Sequence, residues 1–85
     1  MELKDTIEMM NSEDYKERFK AEYHQLLIRA KKLMDMLEKH KAGTLPYTLT
    51  CPRELLETQL EFMEGYLGVL CIRAELEGVI LEDNA

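Results

Sequence analysis

At 85 residues, with 46% apolar and 33% charged residues and a net charge of −6, the chain is one small domain whose core is modest enough to gain from a partner or a staple. Charge is divided along it: residues 1–14 sum to −4, residues 15–53 to +5 and residues 54–85 to −7. So many carboxylates argue against duplex nucleic acid as a partner, and apolar runs such as VLCI and VIL fall far short of a membrane span.

In chain order, MELKDTIEMM is acidic and has neither the basic nor the apolar region of a signal peptide, which predicts a cytoplasmic protein. Leu3, Ile7 and Met10 follow a helical spacing and predict a short N-terminal arm over residues 1–11. Asn11 or Ser12 then offers an N-cap, with Glu13 and Asp14 placed where the helix dipole favours acids. The first long helix is predicted over residues 12–42. Its seam, Phe19, Tyr23, Leu26, Ala30, Leu33 and Leu37, steps 4-3-4-3-4, and Gly43 ends it. Leu45, Tyr47 and Leu49 alternate to one side of an extended connector. Pro52 suits the first turn of the second long helix, capped by Thr50 or Cys51 with Glu54 reaching back. Leu56, Leu60, Met63, Leu67, Leu70 and Ala74 repeat the 4-3-4-3-4 seam as far as Gly78, and residues 79–85 form a tail. Cys71 reads as a small core residue. Placed with Cys51 on one helix, it is about 30 Å from that cysteine, beyond disulfide reach, so free thiols and a reducing compartment are expected.

Two long helices of roughly 45 and 39 Å joined by a short connection predict an all-α fold, an antiparallel αα-hairpin over residues 12–78. The second helix has more apolar surface than such a hairpin hides. Leu55, Gln59, Phe62, Tyr66, Val69, Arg73, Leu76 and Ile80 form a further stripe at 4-3-4-3-4-3-4 spacing. Leu27 and Met34 flank the seam of the first helix, with Ile28 and Met36 further round. The arm and the tail are candidates to cover part of this surface. A stripe on both sides of a helix otherwise predicts self-association into a homo-oligomer, with Leu55, Phe62, Tyr66, Val69, Leu76 and Ile80 in the interface. Gln59 and Arg73 interrupt the stripe, either to set register or to line a pocket between subunits. Gly65 and Gly68 each cost about 1 kcal/mol in mid-helix, for which close helix approach is the expected return.

Catalytic constellations are thin, and no enzyme is expected. Ser12 is a cap candidate, and His24 and His40 lie about 24 Å apart on one helix, too far to share a metal. No CxxC, HxxxH, HExxH or glycine-rich phosphate loop occurs, and His40 with Cys51 supplies only two ligands, short of a zinc site. No cofactor is implied. Positive charge gathers at the turn instead. Lys39, His40 and Lys41 complement the carbonyls ending the first helix. Arg53, the hydroxyls of Thr44, Thr48 and Thr50, the Tyr47 ring and the start of the next helix lie close by. Lys41, Tyr47, Thr48, Thr50, Arg53, Gln59 and Arg73 are therefore the candidate site for a phosphate-bearing small molecule such as a nucleotide.

Residues 13–81 resemble a family of small phage and prophage proteins related to those of crAss-like phages. The resemblance is carried by Cys51-Pro52, Leu55-Leu56, Gln59-Leu60, Met63, Tyr66-Leu67, Arg73-Ala74, Gly78 and Ile80-Leu81, and by the charged first helix DYKERFKAEYHQLLIRAKKLMDML. It implies a phage origin. In outline the hairpin is also similar to the phage anti-defence sponges, small helical oligomers that sequester cyclic nucleotides or cyclic ADP-ribose derivatives between subunits. The spacing after Arg53-Glu54 departs from the sponge motif, so no ligand residue carries over. The resemblance implies a sponge for an immune signal. The alternative is a non-catalytic factor that blocks a host or phage protein through its apolar helix face.

Overall fold

A 3₁₀ turn over Leu3–Thr6 runs into a one-turn helix, α1 (Ile7–Met10), followed by α2 (Tyr15–Ala42) and α3 (Arg53–Glu77). The structure, a computed structural model, describes residues 1–81; the last four residues of the expected tail lie outside the described residues. All regular structure among the described residues is helical, and the longest dimension is 43 Å.

The caps set the helix ends. Asp14, not Asn11 or Ser12, caps α2, its carboxylate accepting from the Lys16 N–H at 3.0 Å. The Ser12 hydroxyl accepts from the Asp14 N–H at 3.1 Å, so the helix begins at Tyr15, later than expected. An acceptor as short and charged as Asp14 competes well for the free N–H groups of a first turn. Gly43 and Gly78 end the two helices at φ +74° and +70°, where a side chain is strained. Beyond them the Thr44 and Val79 N–H groups reach back to the Lys39 and Ala74 carbonyls at 2.9 and 2.8 Å.

The expected seams do meet. Phe19, Tyr23, Ala30 and Leu37 are buried on α2, Leu70 and Ala74 on α3, and Leu26, Leu33, Leu56, Leu60, Met63 and Leu67 are half-buried between them. The densest packing lies away from the turn, where Phe19, Tyr23, Leu70, Ala74 and Val79 form one cluster. Val79, just past the Gly78 cap, folds onto this cluster in the manner of a Schellman ending. Cys71 corrects an expectation: it is exposed. One residue past Leu70 is a turn of about 100° around the helix, which carries it off the seam.

The arm does not cover α3. The 3₁₀ turn and α1 both pack on α2, and neither lies beside α3. Their anchor is Thr6, fully buried. Its hydroxyl donates to the Leu3 carbonyl at 2.7 Å and accepts from the Gln25 amide on α2 at 2.9 Å, and that amide also meets the Met10 sulfur. Thr6→Val keeps the shape but leaves these partners unmatched. It should cost about 1–2 kcal/mol and show as faster amide exchange across residues 3–10 with α3 unchanged.

Charge separates between the paired helices. In α2, eight lysines and arginines face four acids; in α3, Arg53 and Arg73 face six glutamates. Among the described residues each ion pair joins groups within one helix or within the arm, and none bridges α2 to α3. The hairpin is thus held by its apolar seam and by hydrogen bonds from Tyr15 to Glu77 and from Arg53 to the Leu37 carbonyl, with opposite helix charges adding a diffuse, salt-screened attraction.

Candidate functional site

The turn end of the hairpin gathers cations from both long helices. Lys39, His40 and Lys41 occupy the last turn of α2, and Arg53 opens α3. Lys39 is held by Asp35 at 3.1 Å. Arg53 is a clamp: Nη1 donates to the Leu37 carbonyl at 3.0 Å and lies 2.8 Å from His40 Nδ1, while Nε sits 3.8 Å from Glu57. Its other terminal nitrogen, Nη2, makes no hydrogen bond among the described residues. Lys41 has no hydrogen bond or ion pair among them either, and its side chain is exposed. His40, Lys41, Arg53 and Glu57 line one open groove of about 450 Å³.

A neighbouring groove of about 480 Å³ shares Lys41 and Arg53 but is walled by Glu38, Glu57, Glu61 and Glu64, with Met34, Leu37 and Leu60 at its floor. Glu57 lines both grooves, so the Lys41–His40–Arg53 side carries one carboxylate and the neighbouring groove four. The cap expected from Thr50, Cys51 or Glu54 is absent: Pro52 is the N-cap of α3 and no side chain caps it. The first N–H groups to bond back within the helix are those of Leu55 and Leu56, to the Pro52 carbonyl at 3.1 and 3.4 Å, so those of Arg53 and Glu54 are the free donors of its first turn. Leu45 and Leu49 of the connector are half-buried, whereas Tyr47, Thr48 and Thr50 are exposed. No hydrogen bond ties these three to Lys41 or Arg53.

Gln59 and Arg73 stand elsewhere. Gln59 lines a shallow apolar groove of about 490 Å³ with Leu55, Thr58, Phe62, Met63 and Tyr66. Arg73 belongs to the opposite end of the hairpin, about 30 Å along the helix from Arg53. Its guanidinium lies over the Phe19 ring, 4.9 Å from the centroid, and Nε bonds Glu77 Oε2 at 2.9 Å, while the Tyr15 hydroxyl donates to Glu77 Oε1 at 3.2 Å. Of the seven candidate residues, Lys41 and Arg53 share one groove, Tyr47, Thr48 and Thr50 lie on the connector and outside that groove's lining, Gln59 lines another groove and Arg73 stands at the far end.

The Arg73–Glu77–Tyr15 group ties the start of α2 to the end of α3. The Arg73 hydrogen bond holds the Glu77 carboxyl below its ordinary range; lost hydration opposes it, and the weaker Tyr15 bond adds to the lowering. The Arg73 guanidinium is raised by its bond to Glu77, and the Tyr15 hydroxyl is raised by lost hydration and then by Glu77. With the folded pKa of Glu77 below the unfolded one, the unfolded chain binds more protons between the two values, and stability there rises with pH. The contribution is complete above the unfolded carboxylate value and is lost as pH falls through the folded one. Glu77→Gln should flatten this part of the acid limb in a melting-temperature profile while leaving the neutral slope unchanged.

The second stripe of α3 is bare. Leu55, Phe62, Tyr66, Val69, Leu76 and Ile80 are all exposed, Phe62 by 76% and Leu76 by 83%. Ile72, which the stripe as first drawn omits, is exposed beside them; its spacing of three from Val69 and four from Leu76 is the signal that includes it. Among the described residues neither expected cover reaches this face: the arm lies on α2, and of the tail Val79 turns inward while Ile80 turns out. The close approach expected at Gly65 and Gly68 is not made within the chain, because a Cβ at either would meet nothing within 4 Å.

Fold and site together define a small helical hairpin with a cationic turn and an unpartnered apolar face. The sequence profile of the Sequestin family matches residues 13–76, both long helices, and the chain belongs to that family. No curated protein and no solved structure matches the chain. No helix among the described residues is long and apolar enough to cross a membrane, and no cluster of three or more His, Cys, Asp or Glu side chains among them is placed to hold a metal.

Proposed function

We propose that this protein is a non-catalytic, oligomeric sponge. It binds a nucleotide-type signal, a cyclic oligonucleotide or a cyclic ADP-ribose derivative, and withholds it from a bacterial immune effector. The observation that carries this reading is the convergence of Lys41, His40 and Arg53, from the end of one helix and the start of the next, around one open groove beside an uncapped helix start. Lys41 and the unengaged Nη2 of Arg53 supply charge-assisted donors for a phosphate. The first N–H groups of α3 add their partial positive charge. The Tyr47 ring, exposed on the connector, offers a plate for a base. Sequestration uses binding energy alone, so the site needs no catalytic group. The family's name, Sequestin, is consistent with sequestering a ligand. In this reading the sponge acts in the cytoplasm of an infected bacterium, the setting that the resemblance to phage proteins implies.

Thermal shift against cyclic dinucleotides, cyclic trinucleotides and cyclic ADP-ribose isomers tests the reading. A ligand at about 100 times its Kd should add about 2.7 kcal/mol of stability. Absence of a shift across the panel, with a stable protein complex recovered from host lysate, would instead favour the blocker, which the bare α3 face also suits.

A further inference from the structure

One hydrogen bond at the turn fixes a charge state. Arg53 Nη1 lies 2.8 Å from His40 Nδ1, and a guanidinium only donates and keeps its protons. His40 Nδ1 is therefore the acceptor, which makes the ring neutral and puts its one N–H at Nε2. Protonation turns Nδ1 into a second donor facing the first. Two donors cannot share a bond, so the pair separates unless an acceptor comes between them. We propose that His40 couples anion binding at the turn to the uptake of one proton, the proton and a phosphate oxygen together replacing the Arg53–His40 hydrogen bond.

The surroundings supply the parts of such a device. His40 is exposed, so water delivers the proton, and histidine is the side chain whose ordinary charge change falls at about pH 5–8. Arg53 keeps its place when the bond breaks, because Nη1 also donates to the Leu37 carbonyl at 3.0 Å and Nε sits 3.8 Å from Glu57. The charged groups about the ring are Lys39, tied to Asp35, and Lys41 on α2, with Arg53 and Glu57 on α3. Glu38 lines the neighbouring groove, and Tyr47 and Cys51 of the connector lie outside the lining of this one. In that lining Lys41 and Arg53 stand against Glu57 alone, so a protonated ring doubles the net positive charge an anion meets. An opposite charge within about 4–6 Å favours the protonated form at least about tenfold. By reciprocity the proton strengthens the anion's binding by the same factor.

The coupling rests on the turn being the anion site of the proposed sponge, so the probe is sulfate, whose double negative charge does not titrate in this range. Ring-nitrogen NMR of the free protein should show neutral His40 as the Nε2–H tautomer. Sulfate titration read at the Lys41 and Arg53 amides should give about tenfold to a hundredfold tighter binding at about pH 5.5 than at about pH 7.5. His40→Gln keeps an uncharged acceptor in reach of Arg53 and should bind sulfate with one affinity at both values. His24, the other histidine of the chain, is about 24 Å away along α2 and stays in that variant as the control. An Nδ1–H tautomer in the free protein overturns the proposal. So does equal sulfate affinity at the two pH values, sulfate binding at neither, or a pH dependence that survives in His40→Gln, which would assign it to Glu57. Failure of the sponge reading looks different: sulfate binds with its proton, and no nucleotide of the panel shifts the melt. A nucleotide held equally well at both pH values sinks the coupling and leaves the sponge intact.

Discussion

Leu70→Ala should destabilise the fold by about 3 kcal/mol, within the range for fully buried leucines in rigid surroundings. Leu70 is the largest side chain with no solvent exposure and sits at the centre of the Phe19–Tyr23–Ala74–Val79 cluster. Truncation removes its transfer free energy and leaves a cavity that can close only if α2 and α3 move together. Phe19 resists that motion, because it also carries the Arg73 guanidinium on its ring. A chain of 85 residues has a total stability of roughly 4–13 kcal/mol, so the loss is a large share of the whole. Urea denaturation followed by circular dichroism measures it. Cys71→Ala, one residue on and exposed, should shift the midpoint within about 0.5 kcal/mol. Equal effects at the two positions would show that the seam is not packed as described.

That contrast between neighbours marks what the sequence could and could not disclose. The hairpin was legible because burial follows the helical period: every residue of both expected seams is buried or half-buried. The bare stripe was legible for the same reason, since its residues share a phase on α3 that the seam with α2 does not use. Cys71 was misjudged because composition favours buried cysteine while its phase on the helix places it outside. The cap of α2 shifted to Asp14 because several adjacent side chains can all cap, and their competition is settled by backbone geometry. Thr6 was not legible at all. A single polar residue in a weakly periodic arm gives no hint that it will be buried by Gln25, nineteen positions away. Among the cations at the turn, sequence locates the cluster but cannot show which members are already engaged. Only closure of the hairpin reveals that Arg53 is partly taken by the Leu37 carbonyl and His40, and that Lys41 is not.

Helix α3 divides its circumference among three tasks. One face is spent on α2 and one, acidic, lines the groove beside Lys41 and Arg53; the third is bare. The acidic flank matters for selectivity at the turn. Glu38, Glu61 and Glu64 repel an anion that strays from the Lys41–His40–Arg53 side, and Glu57 lines that side too, so a compact phosphate should bind weakly at the turn. A nucleotide whose base reaches Tyr47, away from the carboxylates, should be preferred. Competition by inorganic phosphate is correspondingly expected to be poor.

Lys41 and Arg53 should then separate when each is removed. Lys41→Ala is expected to weaken nucleotide binding about tenfold to a hundredfold, the effect of losing one charged hydrogen bond of roughly 1.5–3 kcal/mol. Its melting temperature should change little, because Lys41 has no hydrogen bond or ion pair among the described residues and gives up only its favourable place at the end of α2. Arg53→Ala should abolish measurable binding and also cost about 1–2 kcal/mol of stability, since the Leu37 carbonyl and His40 lose their shared donor. Arg53→Lys keeps the charge but, with no planar fork, cannot serve the clamp and a phosphate together. It should recover part of the stability and little of the affinity. Calorimetric titration with whichever nucleotide shifts the wild-type melt reads all three. If Lys41→Ala binds that nucleotide as tightly as wild type, the ligand does not sit at the turn, whatever Arg53 does, because only Lys41 reports on the ligand without disturbing the fold.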